Sequence, residues 1–263
     1  MKLHIISVAM LLASGTLIAG PVQAAPELPA DAAPGEQTVE VSGVRDPQWK
    51  PYRTLLLGFD AFDSNRVLAP AAALRFSLRP LNPSTSMDGI NLLIAGSTQS
   101  TPVPLDPNNS FSLPRNQAAA DDGAELLINR KKNTMTIRPD IRTPGLAANV
   151  RRLGDLRLEC HVRWAIEKDE LSFLKRNAFR MVGGPCNSGK VKTFYIADRP
   201  VSAVWLAFDG RKVPLEIAGR GALFRPPLHD SDWSDDALVV LEFADVASVQ
   251  GTGRPFAAEH RER

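Results

Sequence analysis

The chain has 263 residues, of which 44% are hydrophobic, 23% charged and 6% aromatic, with 31 Lys and Arg against 29 Asp and Glu. This composition excludes a disordered or fibrous chain. The near balance of charge argues against a nucleic-acid binder that works by counterion release from a strongly basic surface.

Residues 1–24 read as a secretory signal peptide. Lys2 precedes an apolar run from Ile5 to Ala19 that is too short to span a bilayer, and Val22-Gln23-Ala24 supplies the small residues of a cleavage site. Pro21 stands where a lipid-anchored protein carries cysteine. No later stretch approaches the roughly 20 apolar residues of a membrane helix, so no span is expected after cleavage. A periplasmic or secreted location follows. Residues 25–36, rich in Ala and Pro, read as a flexible lead-in.

From residue 37 onward the pattern favours short strands. Tyr52, Leu55, Leu56, Phe59 and Phe62 recur at helical spacing behind Pro51, which predicts an amphipathic helix near 52–64 packed on a sheet. Leu74, Phe76 and Leu78 alternate with Arg75, Ser77 and Arg79, and Ile90, Leu92 and Ile94 alternate likewise, so both runs are expected strands. Asp106-Pro107-Asn108-Asn109 predicts a hairpin joining 103–105 to 111–113, and a second hairpin is expected between 125–129 and 134–138. Asp209-Gly210 is the strongest turn signal and joins 201–208 to 212–217, with a further strand at 238–243.

Between Asp155 and Ile166, Leu156, Leu158, Cys160, Val162, Trp164 and Ile166 occupy every second position. This alternation predicts a strand with Glu159 and His161 on its outer face, in a solvated ion-pair ladder with Arg157 and Arg163. A shorter helix is expected around Leu171, Leu174, Ala178 and Met181, with a strand over 172–182 as the alternative. The fold class expected is mainly β, as antiparallel β-sandwich units with one or two short amphipathic helices. The segment from Pro139 to Gly154 suggests a boundary between a β-rich unit at 37–140 and a second at 155–247, ahead of a flexible tail at 248–263. One continuous sandwich is the alternative.

Cys160 and Cys186 allow a single connectivity, and in an exported chain a lone pair reads as a structural disulfide. Gly184 to Lys190 fits the phosphate-loop spacing, yet Val191 follows where Ser or Thr must bind magnesium, so 183–189 reads as a tethered turn. No zinc-binding H-E-x-x-H and no G-x-S-x-G nucleophile elbow occurs. The run His229 to Asp236 alternates oxygen-bearing side chains as a calcium loop does, but Asp235 occupies the position that needs Gly. Arg138, Arg142, Arg151, Arg152, Arg157 and Arg163 gather cations around the boundary, where they suit a bidentate grip on an anionic polymer or pairing with the acidic run.

The functional expectation is an exported, non-catalytic binding or interaction module for an envelope or extracellular protein or polysaccharide. Its candidate ligand-binding residues are Trp233, Asp230, Asp232, Arg151 and Arg152, with no catalytic residue, metal or cofactor assigned. Two alternatives are a metal-independent hydrolase using Asp230, Asp232 and Glu159, and a calcium-supported carbohydrate binder centred on Trp233.

Overall fold

The computed structural model describes residues 44–82 and 84–245. The expected signal peptide at 1–24, lead-in at 25–36 and tail at 248–263 lie outside the described residues. Within them the chain is mainly β, in four small antiparallel sheets with few helices. The first sheet runs in the order β1 (Pro47–Pro51), β6 (Glu125–Lys131), β3 (Leu92–Ala95), β4 (Ser100–Val103). The second runs β5 (Ser110–Phe111), β2 (Ala73–Pro80), β7 (Met135–Arg142). A third runs β11 (Arg211–Pro214), β10 (Val201–Phe208), β14 (Leu238–Phe243), β8 (Val150–Arg152), and a fourth β12 (Glu216–Ala218), β13 (Leu223–Arg225), β9 (Tyr195–Ile196).

Sequence alternation decides which way the first two sheets face. Phe76 and Leu78 of β2, Ile141 of β7, Leu92 and Ile94 of β3, and Leu126 and Ile128 of β6 all enter one apolar core. Helix α1 (Tyr52–Ser64) adds Leu55, Leu56 and Phe62 to it. A short helix α2 (Gln117–Asp121), whose Asn116 side chain accepts the Ala119 N–H, closes one end with Ala120. Val204, Leu206, Phe224, Val239 and Leu241 build a second core from the other two sheets.

The expected strand at 155–166 is instead the central helix, α3 (Leu153–Glu167). The physical reason is that α3 is buried on two sides. Leu153, Leu156 and Cys160 enter the second core, while Leu158, Val162 and Ile166 enter the first. Each set repeats at helical spacing, and the two interleave so that every second residue is apolar. A helix between two cores thus mimics the period of a strand. Its Leu-, Glu- and Arg-rich composition and Asp155 in the first turn suit a helix better than a strand.

Two hairpins also differ from expectation. The turn at 106–109 forms, with the Asn109 N–H donating to the Asp106 carbonyl at 2.8 Å and Asn109 at φ 61°. Its arms part, however: β4 joins β3 while β5 joins β2. Likewise β6 and β7 lie where expected but pair with β1 and β3, and with β2, respectively. Local turn chemistry specifies the reversal and leaves partner choice to the apolar faces. The Asp209-Gly210 turn forms as expected, with both residues at positive φ and Phe208 opposite Arg211. The return arm expected at 212–217, however, stays with β10 only to Pro214, and Glu216–Ala218 crosses to β13 in the fourth sheet.

Helix α4 (Phe173–Met181) matches the expected second helix, and a single turn, α5 (Gly184–Asn187), follows. Cys186 on α5 is bonded to Cys160 on α3 across 26 residues of sequence. Both sulfurs are buried in the second core. In the chain-entropy picture a loop of this length is worth roughly 3 kcal/mol.

Candidate functional site

The strip of α3 between its two apolar arcs carries Glu159 and Arg163, one turn apart, and it forms one wall of a cleft of about 260 Å³. The opposite wall is the outer face of the second sheet. Because Phe76 and Leu78 point inward, Ser77 and Arg79 of β2 point out, and Arg138 and Asp140 of β7 lie beside them. Arg151 from β8, Phe194, Tyr195 and Ile196 around β9, and Leu223 of β13 complete the lining. The cleft therefore opens where the two cores meet on α3.

Its electrostatics are dominated by arginine. Arg79, Arg138, Arg151 and Arg163 face two lining carboxylates, Asp140 and Glu159. Glu159 is 6% exposed and Arg151 9%. Glu159 accepts the Ile141 N–H at 2.7 Å and pairs with Arg151 Nη2, which also donates to the Ile141 carbonyl at 2.8 Å. Arg151 Nε–H has no hydrogen-bond partner among the described residues. Such a donor carries the desolvation cost of an unmade bond.

Burial pushes the Glu159 carboxyl up to about 7, against the lowering pull of the Arg151 charge and the Ile141 N–H. It thus changes charge near neutral pH. Burial and the neighbouring Arg163 charge lower the Arg138 guanidinium, more than Glu167 and Glu170 raise it. Arg138 and Arg163 share one carboxylate, Glu167, with Arg163 Nε at 2.9 Å from it. Two guanidinium groups on one partner leave positive charge for a further anion. Tyr195 donates its hydroxyl to the Leu156 carbonyl and is held well above the usual phenol range, chiefly by burial. It is a fixed wall, ionised at no ordinary pH.

The groove continues beyond the cleft along the same sheet face, past Ser77, Arg79 and Asp140 to Arg75, Arg142 and Asp198. There the charges are matched. Asp198 takes Arg79 at 2.6 Å and Arg142 at 3.0 Å, and although burial alone raises its carboxyl, the bonds and charges of these arginines hold it below the usual range.

The residues singled out from sequence separate in space. Arg151 lines the cleft. Arg152, its neighbour on β8, points elsewhere and binds Asp236 at 2.6 Å and the Leu68 carbonyl at 3.2 Å. Trp233 is 6% exposed, packs in the second core and carries the Arg211 guanidinium 4.3 Å above its ring. Asp230 caps its own loop by accepting the Asp232 N–H at 3.0 Å, and Ser234 accepts the Asp236 N–H at 3.1 Å. Arg157 ties this loop to α3 through the Leu228 and Trp233 carbonyls and Asp235. Among the described residues no three His, Cys, Asp or Glu side chains are grouped to hold a metal. Glu159 lines the arginine cleft, away from the Asp230 loop, so the three carboxylates of the hydrolase alternative do not share a cavity.

The expected outer ladder of Glu159, His161, Arg157 and Arg163 does not form. On a helix Glu159 and His161 diverge, and His161 lines a separate hollow with Arg157, where burial lowers its imidazole. Sequence reasoning named Arg138, Arg151 and Arg163 within a broad basic cluster but missed Arg79, Asp140 and Tyr195. Arg79 was signalled only by its polar register on β2, and Asp140 lay in the segment read as a boundary, which β7 instead occupies as far as Arg142. No family model, curated protein or solved structure matches the chain. The reading of the cleft therefore stands on its own geometry.

Proposed function

We propose that this chain is an exported, non-catalytic binding module whose arginine-lined cleft takes an anionic group, a carboxylate or a sulfate or phosphate ester, of an envelope or extracellular partner. The observation that carries this reading is Arg151, nine-tenths buried in the cleft wall with its Nε–H unpartnered. The crowding of Arg138 and Arg163 on Glu167 supports it, since an anion relieves the like-charge repulsion. Export is supported by the signal pattern of residues 1–24 and by the Cys160–Cys186 bridge, a bond that persists in oxidising compartments. Among the described residues no helix is long and apolar enough to cross a membrane.

Sulfate tests the reading, because its charge is constant across the range in which Glu159 titrates. Calorimetric titration is expected to show saturable binding that strengthens several-fold from pH 8 to pH 5.5. The sign follows from Glu159: as pH falls through about 7 its carboxylate is neutralised and stops competing for the arginines. Arg163→Ala is expected to weaken binding roughly tenfold, the scale of one charge-assisted contact. Arg152→Ala leaves binding unchanged. Absence of saturable binding, or equal losses from both variants, overturns the assignment.

A further inference from the structure

Helix α4 stands apart from both cores. It has no buried residue, and Phe173, Leu174 and Met181 are 72%, 79% and 87% exposed. At helical spacing these three fall on one arc with Asn177 and Ala178. The opposite side is anchored, with Phe179 packed edge-on against Trp164 of α3 at 5.4 Å between ring centroids. The Cys160–Cys186 bridge ties the following turn to the same helix. A helix of nine residues is marginal on its own in water, so this anchoring is what keeps it folded with its apolar arc outward. A contiguous apolar face held out in this way is the mark of an interaction surface.

The charges around the arc identify the occupant. Exposed Lys175 and Arg180 border it on its two sides. Residues 168–192 hold six Lys and Arg against Asp169 and Glu170, and those two acids are already engaged, Asp169 by Arg176 at 2.7 Å and Glu170 by Lys50. A second copy of the chain fits poorly, because a two-fold interface would press this cationic patch against itself. An apolar arc edged by Lys and Arg matches the boundary between acyl chains and anionic headgroups, where the stems lie along the apolar layer and the charges reach phosphate.

We propose that α4 docks the protein on the surface of an anionic phospholipid bilayer. Phe173, Leu174 and Met181 enter the headgroup boundary while Lys175 and Arg180 meet headgroup phosphates. The docking face is separate from the arginine cleft and does not depend on the cleft's proposed role.

Cosedimentation of the full, oxidised chain with vesicles tests the proposal. Vesicles of equal parts phosphatidylglycerol and phosphatidylcholine are expected to bind the chain, pure phosphatidylcholine to bind it roughly tenfold less, and added salt to weaken the binding. The double variant Leu174→Glu, Met181→Glu is expected to lose binding at an unchanged melting temperature, since both side chains are exposed. Lys175→Glu with Arg180→Glu is expected to lose it too, whereas Arg163→Ala in the cleft retains it. Equal binding to both vesicle types, retention by the Leu174 and Met181 variant, or loss by Arg163→Ala overturns the proposal. So does self-association of the lipid-free chain that the double variant abolishes, which would assign the face to a second copy.

Discussion

Replacing Gly154 with alanine is expected to destabilise the fold by about 3 kcal/mol or more. A Cβ at Gly154 would lie 2.1 Å from the Leu68 carbonyl oxygen, 2.9 Å from Asp235 Cβ and 3.1 Å from the Asp235 carbonyl. Two of these neighbours are backbone oxygens, which no rotamer change can move. The site is the entry to α3, where the chain leaves β8: the Leu153 N–H donates to Ala237 at 2.8 Å and the Gly154 N–H to Asp235 at 2.9 Å. The turn after α1, the loop before β14 and the first turn of α3 thus meet with no room for a methyl group. Gly58 provides the contrast, because its added Cβ would meet only side-chain carbons, Ile166 Cδ1 at 2.7 Å and Val162 Cγ1 at 3.3 Å. Those atoms can yield, and alanine gains about 1 kcal/mol of helix propensity. Urea unfolding of both variants separates the cases. If Gly154→Ala costs no more than Gly58→Ala, the three segments do not meet as described.

The same junction explains how much of the fold was legible in the sequence. Strands with one face on an apolar core, such as β2 with Phe76 and Leu78 inward and Arg75, Ser77 and Arg79 on the other face, were readable because core packing on one side imposes alternation of apolar and polar residue types. So was α1, whose single apolar stripe faces a single core. Helix α3 was not readable by the same rule, since its two stripes interleave into a false period of two. That misreading carried the site with it. Placed on a strand, Glu159 looks like a solvated partner of Arg157 and Arg163. On a helix it turns to the seam between the cores and meets Arg151, eight residues away in sequence. Arg79 and Tyr195 reach the cleft through sheet pairing and chain return over long sequence distances, which no local pattern encodes. Trp233 and the Asp230 loop drew attention through unusual composition, yet their side chains and carbonyls are used in packing and capping.

Removal of the Arg151 side chain is expected to cost about 4 kcal/mol at pH 8, because it strands a carboxylate with 6% exposure beside an apolar core. The loss is set by Glu159's charge, and so it should shrink as pH falls and the carboxyl takes up a proton. The wild-type protein carries the same signature in milder form. Glu159 titrates near 7 when folded against an ordinary value of 4.5, so the folded state binds the proton more tightly than the unfolded state. Its contribution is fully present below about 4.5 and is lost as pH rises through about 7. A separation of this size corresponds to a decline of about 3 kcal/mol across the window. Glu159→Gln keeps a carbonyl oxygen to accept the Ile141 N–H and removes the titration. Subtracting its unfolding free energy from that of the wild type, pH by pH, isolates the group from Asp122 and Asp198, whose lowered carboxyls act at more acidic pH and with the opposite sign. A flat difference between pH 4.5 and 8, or an Arg151→Ala cost that does not change over that range, would mean that Glu159 remains ionised throughout and that the cleft carries no proton-linked charge.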